Sequence, residues 1–281
     1  MRALWRPHVG AQPTAATAHA HWKLDEASGS ALDSVGGYAL TASGSPGATG
    51  SLFAVPDGTT GARTFNGTTQ FFQRFNAAFP FPSAGVAAAV AKEGAVSLVF
   101  RPDSVSGKRA LFTYEGLTGS SSQAENKIIS IYTDGTEILV GWEHGSGTLV
   151  SSQTTGVGLA ALGYYQLVVS WSGPSTKTLY VYLFERASGL IHEESFTGLT
   201  SADGGANSDI QIGRGRDDAT YYDGVIDDVV LWRYPLTRDA AYELYAETFG
   251  IDYDEEVLYD RGGEAHHLRV RVEDADGVLV D

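Results

Sequence analysis

Residues 221–232 read YYDGVIDDVVLW, a run with the apolar, β-branched character of a buried strand. Two adjacent aspartates, Asp227 and Asp228, interrupt it. A carboxylate in an apolar strand is costly unless it is paired, hydrogen-bonded or metal-bound. The pair is therefore catalytic, metal-binding or structural. Side chains alternate along a strand, so regular alternation puts Asp227 with Val229 and Leu231 on the expected core side. Asp228 then faces the other way, with Ile226, Val230 and Trp232. Hydrolysis of a sugar by two carboxylates needs both on the same sugar, roughly 5 to 10 Å apart. Neighbours on a strand point apart, which argues against a catalytic pair.

The rest of the chain gives this strand an all-β setting. Of 281 residues, 43% are hydrophobic and 34 are glycine. That supplies a core and the many turns of a sandwich. The absence of cysteine removes disulfides and thiolate metal sites. A net charge of −15 argues against a nucleic-acid partner. No apolar run approaches the roughly 20 residues of a membrane span, so no membrane insertion is expected. The opening MRALWRPHVGAQPTAATAHA carries Arg2 and Arg6 but no apolar segment of the kind a signal peptide needs. At the other end, residues 251–281 hold ten acids against three arginines, a net −7.

From residue 21, short strand candidates alternate with turn clusters: HWKLDE, GGYALTASG, ARTFNG and TQFFQRF, then AVSLVFRPDS, RALFTYEG, NKIISIYTDG and EILVGWEHG. The Ala-rich stretch 86–94 reads as a short helix or packed loop. YYQLVVSWSG and KTLYVYLFERASG look like a central pair. In the second, Leu179, Val181 and Leu183 share one face and Tyr180, Tyr182 and Phe184 the other, which implies that its outer face is also covered. PLTRDAAYELYAETFG is the one clear helix, with Thr237 as its cap, Asp239 in its first turn and Gly250 at its end. The tail offers a hairpin, HLRVRVEDADGVLV, in which Leu268, Val270 and Val272 line one face and DADG turns. A lone hairpin is marginal in water, so it is expected to dock. These boundaries give an N-terminal arm (1–20), a β-domain (21–250) and an acidic C-terminal arm (251–281).

The order of these pieces resembles the laminin-G-like jelly rolls of the concanavalin A-like lectin and glucanase superfamily, from about residue 21 to 249. HWKLDEASGSALDSVGG, ARTFNGTTQFF, AVSLVFRPDS, GYYQLVVSW, LYVYL, DIQIGRG and YYDGVIDDVVLWRYPLTRDAAYELY carry the likeness. The Gly-x-Ile-Asp-Asp-Val strand, followed by Pro-Leu and a short helix, is its most specific part. The resemblance implies two curved antiparallel sheets packed face to face, an all-β jelly-roll sandwich. It also implies that Asp227 lies near Asp33, in LDSVGG, where the two would hold a structural calcium ion with backbone carbonyls. A second reading stays open, in which each aspartate accepts backbone N–H groups at a turn with no ion. The catalytic Glu-x-Asp-x-x-Glu arrangement of the glucanase members is missing, and the chain is expected not to be an enzyme.

His19 and His21 fall on one face of an extended segment, but two ligands without a third read better as solvated polar residues. Among the aromatics, Trp142 with the adjacent loop residue His144, together with Tyr221 and Tyr222, are the candidates for sugar contact, although sandwich cores are aromatic too. Two functions follow. In the first, the protein is a structural part of an assembly: a homo-oligomer or, as the resemblance to jelly rolls found in tailed-phage virions implies, a component of a virion surface. It would dock by strand addition of its tail hairpin, with Arg2 and Arg6 meeting acidic surface. In the second, it is a carbohydrate-binding module for cell-surface or extracellular glycans.

Overall fold

The computed structural model describes residues 18–51, 61–77, 93–117, 127–144, 148–154, 156–172, 176–200, 207–215, 220–232, 234–249, 252–256 and 269–273. Among them run the strands β1 (Ala20–Trp22), β2 (Thr41–Ser43), β3 (Gly47–Gly50), β4 (Gly61–Asn66), β5 (Phe71–Ala77) and β6 (Gly94–Pro102). Next come β7 (Lys108–Leu117), β8 (Lys127–Asp134), β9 (Glu137–His144), β10 (Thr148–Gln153), β11 (Tyr165–Ser172) and β12 (Thr176–Glu185). The chain continues through β13 (Gly189–Thr200), β14 (Asn207–Ile212), β15 (Asp223–Trp232), the helix α1 (Arg238–Phe249), β16 (Asp252–Glu256) and β17 (Arg269–Glu273).

The strands form two large antiparallel sheets. One is eight-stranded, in the order β13-β12-β11-β6-β15-β4-β3, with β1 added on β15. The other is seven-stranded, in the order β10-β9-β8-β7-β14-β5-β2. Their facing sides share one core, in which Trp22, Phe65, Leu98, Phe100 and Leu183 of the first sheet meet Phe72, Phe112, Tyr114, Ile131 and Ile212 of the second. The expected jelly-roll sandwich is the architecture found.

The eight-stranded sheet is apolar on both sides, as the two faces of β12 require. Its outer face carries Val168, Tyr182, Phe184, Val230 and Trp232, and α1 covers it with Ala241 and Tyr245. The Phe184 ring stacks on Tyr245 at 4.8 Å and meets Tyr242 edge-on at 5.1 Å. Thr237 starts the helix as expected, its Oγ1 accepting the Ala240 N–H at 3.2 Å. This third layer lies on the outer side of the eight-stranded sheet.

Strand β15 explains its aspartates. On one edge it pairs throughout with β6. On the other it pairs first with β4, over Asp223–Ile226, and then with β1, over Val229–Leu231. Asp227 and Asp228 sit where the partner changes. There the β6 ladder is bulged: Asp227 opposes Val99 and Val230 opposes Ser97, so one extra residue lies on β15. Asp228 is that residue in conformation, with a φ of +50°. The bulge overturns the simple alternation expected here. The core residues are Ile226, Val229 and Leu231, so Asp227 faces away from them, still fully buried.

Two other local features hold this region. Gly224 has a φ of +146°, and a Cβ placed on it would lie 2.2 Å from the Arg101 carbonyl oxygen and 2.9 Å from the Asp103 amide nitrogen. Arg63 of β4 is buried in the sandwich, 5.0 Å over the Phe72 ring. Its guanidinium donates to the carbonyls of Glu26, Gly29, Pro46 and Gly47, tying the loop before Ala31 to the turn before β3. Burial lowers its pKa, and the nearby Glu26 opposes that shift.

The tail departs from its expected form. Arg269–Glu273 pairs antiparallel with Asp252–Glu256, Arg271 opposite Asp254 and Arg269 opposite Glu256 in register. Val270 and Val272 thus have a strand partner inside the tail, and DADG lies outside the described residues. The stretch 86–92, Gly250, Leu268, Arg2 and Arg6 lie outside the described residues.

Substituting Gly224→Ala should destabilise the protein by at least about 3 kcal/mol, the sum of backbone strain and overpacking. Gly135, in the β8–β9 turn, has a φ of +61° and open space around it. There Gly135→Ala should cost only about 1 to 2 kcal/mol. Denaturant unfolding of both variants checks the contrast.

Candidate functional site

Two polar clusters stand apart from the core, and they do different things. The first surrounds β1. The Asp33 carboxylate accepts four backbone amides: Oδ1 takes those of His21 and Val35, each at 2.9 Å, and Oδ2 those of Gly36 (3.0 Å) and Tyr38 (2.9 Å). The His21 ring, 2% exposed, is hydrogen-bonded through Nε2 to Asp228 Oδ1. Ser51 Oγ donates to Asp227 Oδ2 at 3.4 Å. His19 is also buried, its ring 5.3 Å from that of Tyr38. Both histidines were expected in solvent. Burial follows because β1 lies on β15 in the sheet, which puts the extended HAH segment in the wall of the sandwich.

This cluster ties chain to chain. His21 is the link, its amide held by Asp33 and its ring by Asp228. The expected neighbour of Asp33 was Asp227, but through His21 it is Asp228 that is joined to it. With two amides on each oxygen, Asp33 has its four acceptor sites filled by backbone N–H groups. Among the described residues no group of three or more His, Cys, Asp or Glu side chains converges on a point where a metal would sit.

The second cluster lies on the outer face of the seven-stranded sheet. Gln211 stands between the core residues Ile210 and Ile212, Thr113 between Phe112 and Tyr114, and Ser130 between Ile129 and Ile131. Alternation therefore turns all three away from the core. Gln73 follows the core residue Phe72 on β5 in the same way. The register aligns them. Thr41 opposes Gln73, Gln73 opposes Gln211, Gln211 opposes Thr113, Thr113 opposes Ser130, and Ser130 opposes Gly141. The result is an uncharged polar row across the sheet.

Three of these side chains, Gln73, Ser130 and Gln211, carry a buried polar atom that is not satisfied. Gln211 is 1% exposed, yet its Oε1 has no hydrogen-bond partner in the protein, and the same holds for Gln73 Oε1 and Ser130 Oγ. Each such atom costs about 1 to 3 kcal/mol if nothing meets it. Beside the row, next to Gln73 and Gln211, stands an aromatic pair, Phe71 and Tyr221, with ring centres 5.9 Å apart. Arg214 lies over both rings, and its carbonyl accepts Thr113 Oγ1 at 3.4 Å. The face thus offers amide and hydroxyl groups, ring surface and one cation.

Of the four sugar-contact candidates, Tyr221 belongs to this face. Tyr222 does not: it is fully buried, edge-on to Phe65, and burial pushes its phenol well above the ordinary range. Trp142 and His144 end β9 opposite Val150 and Thr148, and their side chains lie outside the described residues. The glutamines, Thr113 and Ser130 were missed. Their signal is present in the sequence, as an uncharged polar residue inside an apolar pair in FQ, IQI, FTY and ISI. A solvated strand face more often carries Lys or Glu at such positions.

Two antiparallel sheets, a shared core and a polar outer face define a lectin-like jelly roll. The chain belongs to the concanavalin A-like lectin/glucanases superfamily, whose family model matches residues 76–240, more than half of the sequence. Solved structures of similar fold include the Trypanosoma rangeli sialidase in complex with 2,3-difluorosialic acid, at a TM-score of 0.55 and 15% identity over 84% of this chain and 33% of that one. The receptor binding domain of the botulinum neurotoxin C/D mosaic serotype matches at a TM-score of 0.51 and 9% identity, over 83% of this chain and 51% of that one. That of type G matches at 0.50 and 10%, over 94% and 64%. This chain thus spans a third of the sialidase structure, and identities this low establish a common fold alone. No curated protein sequence matches the chain. No helix among the described residues is long and apolar enough to cross a membrane.

Replacing Asp33 with Ala strips four amides of their acceptor and should destabilise the protein by about 2 kcal/mol or more. Chelator or added calcium should leave the melting temperature of the wild type unchanged. Thermal unfolding under the three conditions tests both expectations.

Proposed function

We propose that this protein is a non-catalytic glycan-binding module whose binding surface is the outer face of the seven-stranded sheet. The observation that carries the reading is the row of buried, unsatisfied polar atoms, Gln73 Oε1, Gln211 Oε1 and Ser130 Oγ, aligned across neighbouring strands. A saccharide is a chain of hydroxyl groups that both donate and accept, so it satisfies an amide oxygen and a hydroxyl at the same time. Its ring faces are partly apolar and suit the edge formed by Phe71 and Tyr221. The row spans several strands, the reach of an oligosaccharide more than of a single sugar.

The similar structures support the reading without carrying it: one is a sialidase bound to a sialic acid derivative, the others are receptor-binding domains of toxins. The extracellular or cell-surface setting follows from the proposed ligand. The assembly reading rests on the terminal arms, and none of the similar structures named above is a virion component.

Gln211→Ala and Tyr221→Ala should each weaken glycan binding by about tenfold or more, as expected when a buried hydrogen bond or a stacking face is lost. Gln211→Ala should leave stability nearly unchanged, because it removes an unsatisfied amide along with its contacts. Calorimetric titration against the best ligand from a glycan array measures the first effect, and denaturant unfolding the second. An array without hits would overturn the proposal.

A further inference from the structure

We infer that the saccharide taken by this face is acidic, with its carboxylate or sulfate set on the Arg214 guanidinium; this rests on the glycan-binding reading above. Gly213, with a φ of +83°, turns the chain as it leaves β14, and Arg214 then pairs with Tyr221 in an isolated bridge. The Arg214 guanidinium carbon stands 4.7 Å from the centre of the Phe71 ring and 5.6 Å from that of Tyr221. Packing against two rings restricts the guanidinium, so that less freedom is lost when an anion binds. The group is set in place before any ligand arrives.

Other arginines are engaged by oxygen acceptors within the protein. Arg63 donates to four carbonyls, Arg101 is paired with Asp103, Arg109 donates to carbonyls of Ser106, Gly67 and Tyr221, and Arg238 is paired with Glu193. Arg214 makes no ion pair with any described residue, and its Nε is buried with no hydrogen-bond partner. Asp217 and Asp218, next in the sequence, lie outside the described residues. A buried N–H of a charged group is costly until an acceptor meets it. The fork of guanidinium donors matches a carboxylate or a sulfate in two parallel hydrogen bonds. In a chain of net charge −15, a cation placed beside a polar row selects for an anionic sugar against the overall field.

The test is a panel of matched glycans, each in neutral, carboxylated and sulfated form, followed by calorimetry of the full chain with lactose, 3′-sialyllactose and 3′-sulfolactose or the matched set that the panel selects. The acidic member should bind about tenfold or more tightly than its neutral partner, the usual margin of a charge-assisted hydrogen bond. That preference should weaken with added salt, disappear in Arg214→Gln, persist in part in Arg214→Lys and stay intact in Arg186→Gln. Whether the carboxylated or the sulfated member binds identifies the anion. Equal binding of neutral and acidic members to the wild type overturns this inference and leaves the glycan-binding reading standing. So does an Arg214→Gln protein that keeps its melting temperature and loses both affinities equally, since the arginine would then only be packing. A panel without any bound glycan overturns both.

Discussion

A β-sheet has two faces, and a two-layer sandwich can hide only one from each sheet. Everything particular to this protein follows from how it treats the two faces left over. The eight-stranded sheet is apolar on its second face as well, so it needs a cover, and α1 supplies it with Tyr245 stacked on Phe184. The seven-stranded sheet keeps a polar second face and has no helix among the described residues to cover it. The sandwich is thereby made asymmetric. One outer side is closed by a helix, and the other holds polar groups that the described residues do not satisfy.

The same asymmetry separates the roles of the charged residues. Around β1 and β4 they are used inward. Asp33 gathers four amides, His21 joins Asp33 to Asp228, and Arg63 gathers four carbonyls from two loops. Each is a polar group in the wall of a sandwich, anchored to a distant segment of the chain, as buried charge requires. Asp227 and Asp228 belong to this set. They occupy the break between two short strands that share one edge of β15, where a regular ladder is interrupted anyway. A carboxylate is well suited to such a gap, because it accepts hydrogen bonds without needing a ladder position.

Much of the architecture was legible because it rests on local pattern. The two-faced strand Leu179–Phe184 announced a covered outer face, and Thr237 announced the start of α1. The Asp-Gly after β8 announced its turn into β9. What depended on register was not legible. Alternation assigned Asp227 to the core, and one inserted residue at Asp228 reversed that. His19 and His21 looked solvated because nothing in HAH reveals which strand lies beside it. The polar row is the clearest case. Gln73, Thr113, Ser130 and Gln211 come from four strands spread over some 140 residues of sequence, and only the pairing of those strands makes them neighbours. Each strand alone carries only the faint signal of one uncharged polar residue between apolar ones, and their burial follows from the neighbours that pairing supplies.

Strand β1 carries a consequence for the order in which the molecule can be built. Ala20–Trp22 pairs with Val229–Leu231, and the ring of His21 meets a residue 207 positions further along the chain. During synthesis, the first strand of the sandwich has to wait unpaired until nearly all the others have left the ribosome. Residues 33–38 engage the His21 backbone and the Trp22 indole early, but the edge of the strand that meets β15 stays open for all of that time, and contacts so distant in sequence form slowly even in a finished chain. Closure of the sandwich is therefore a late event, and the last strand to emerge completes the site of the first.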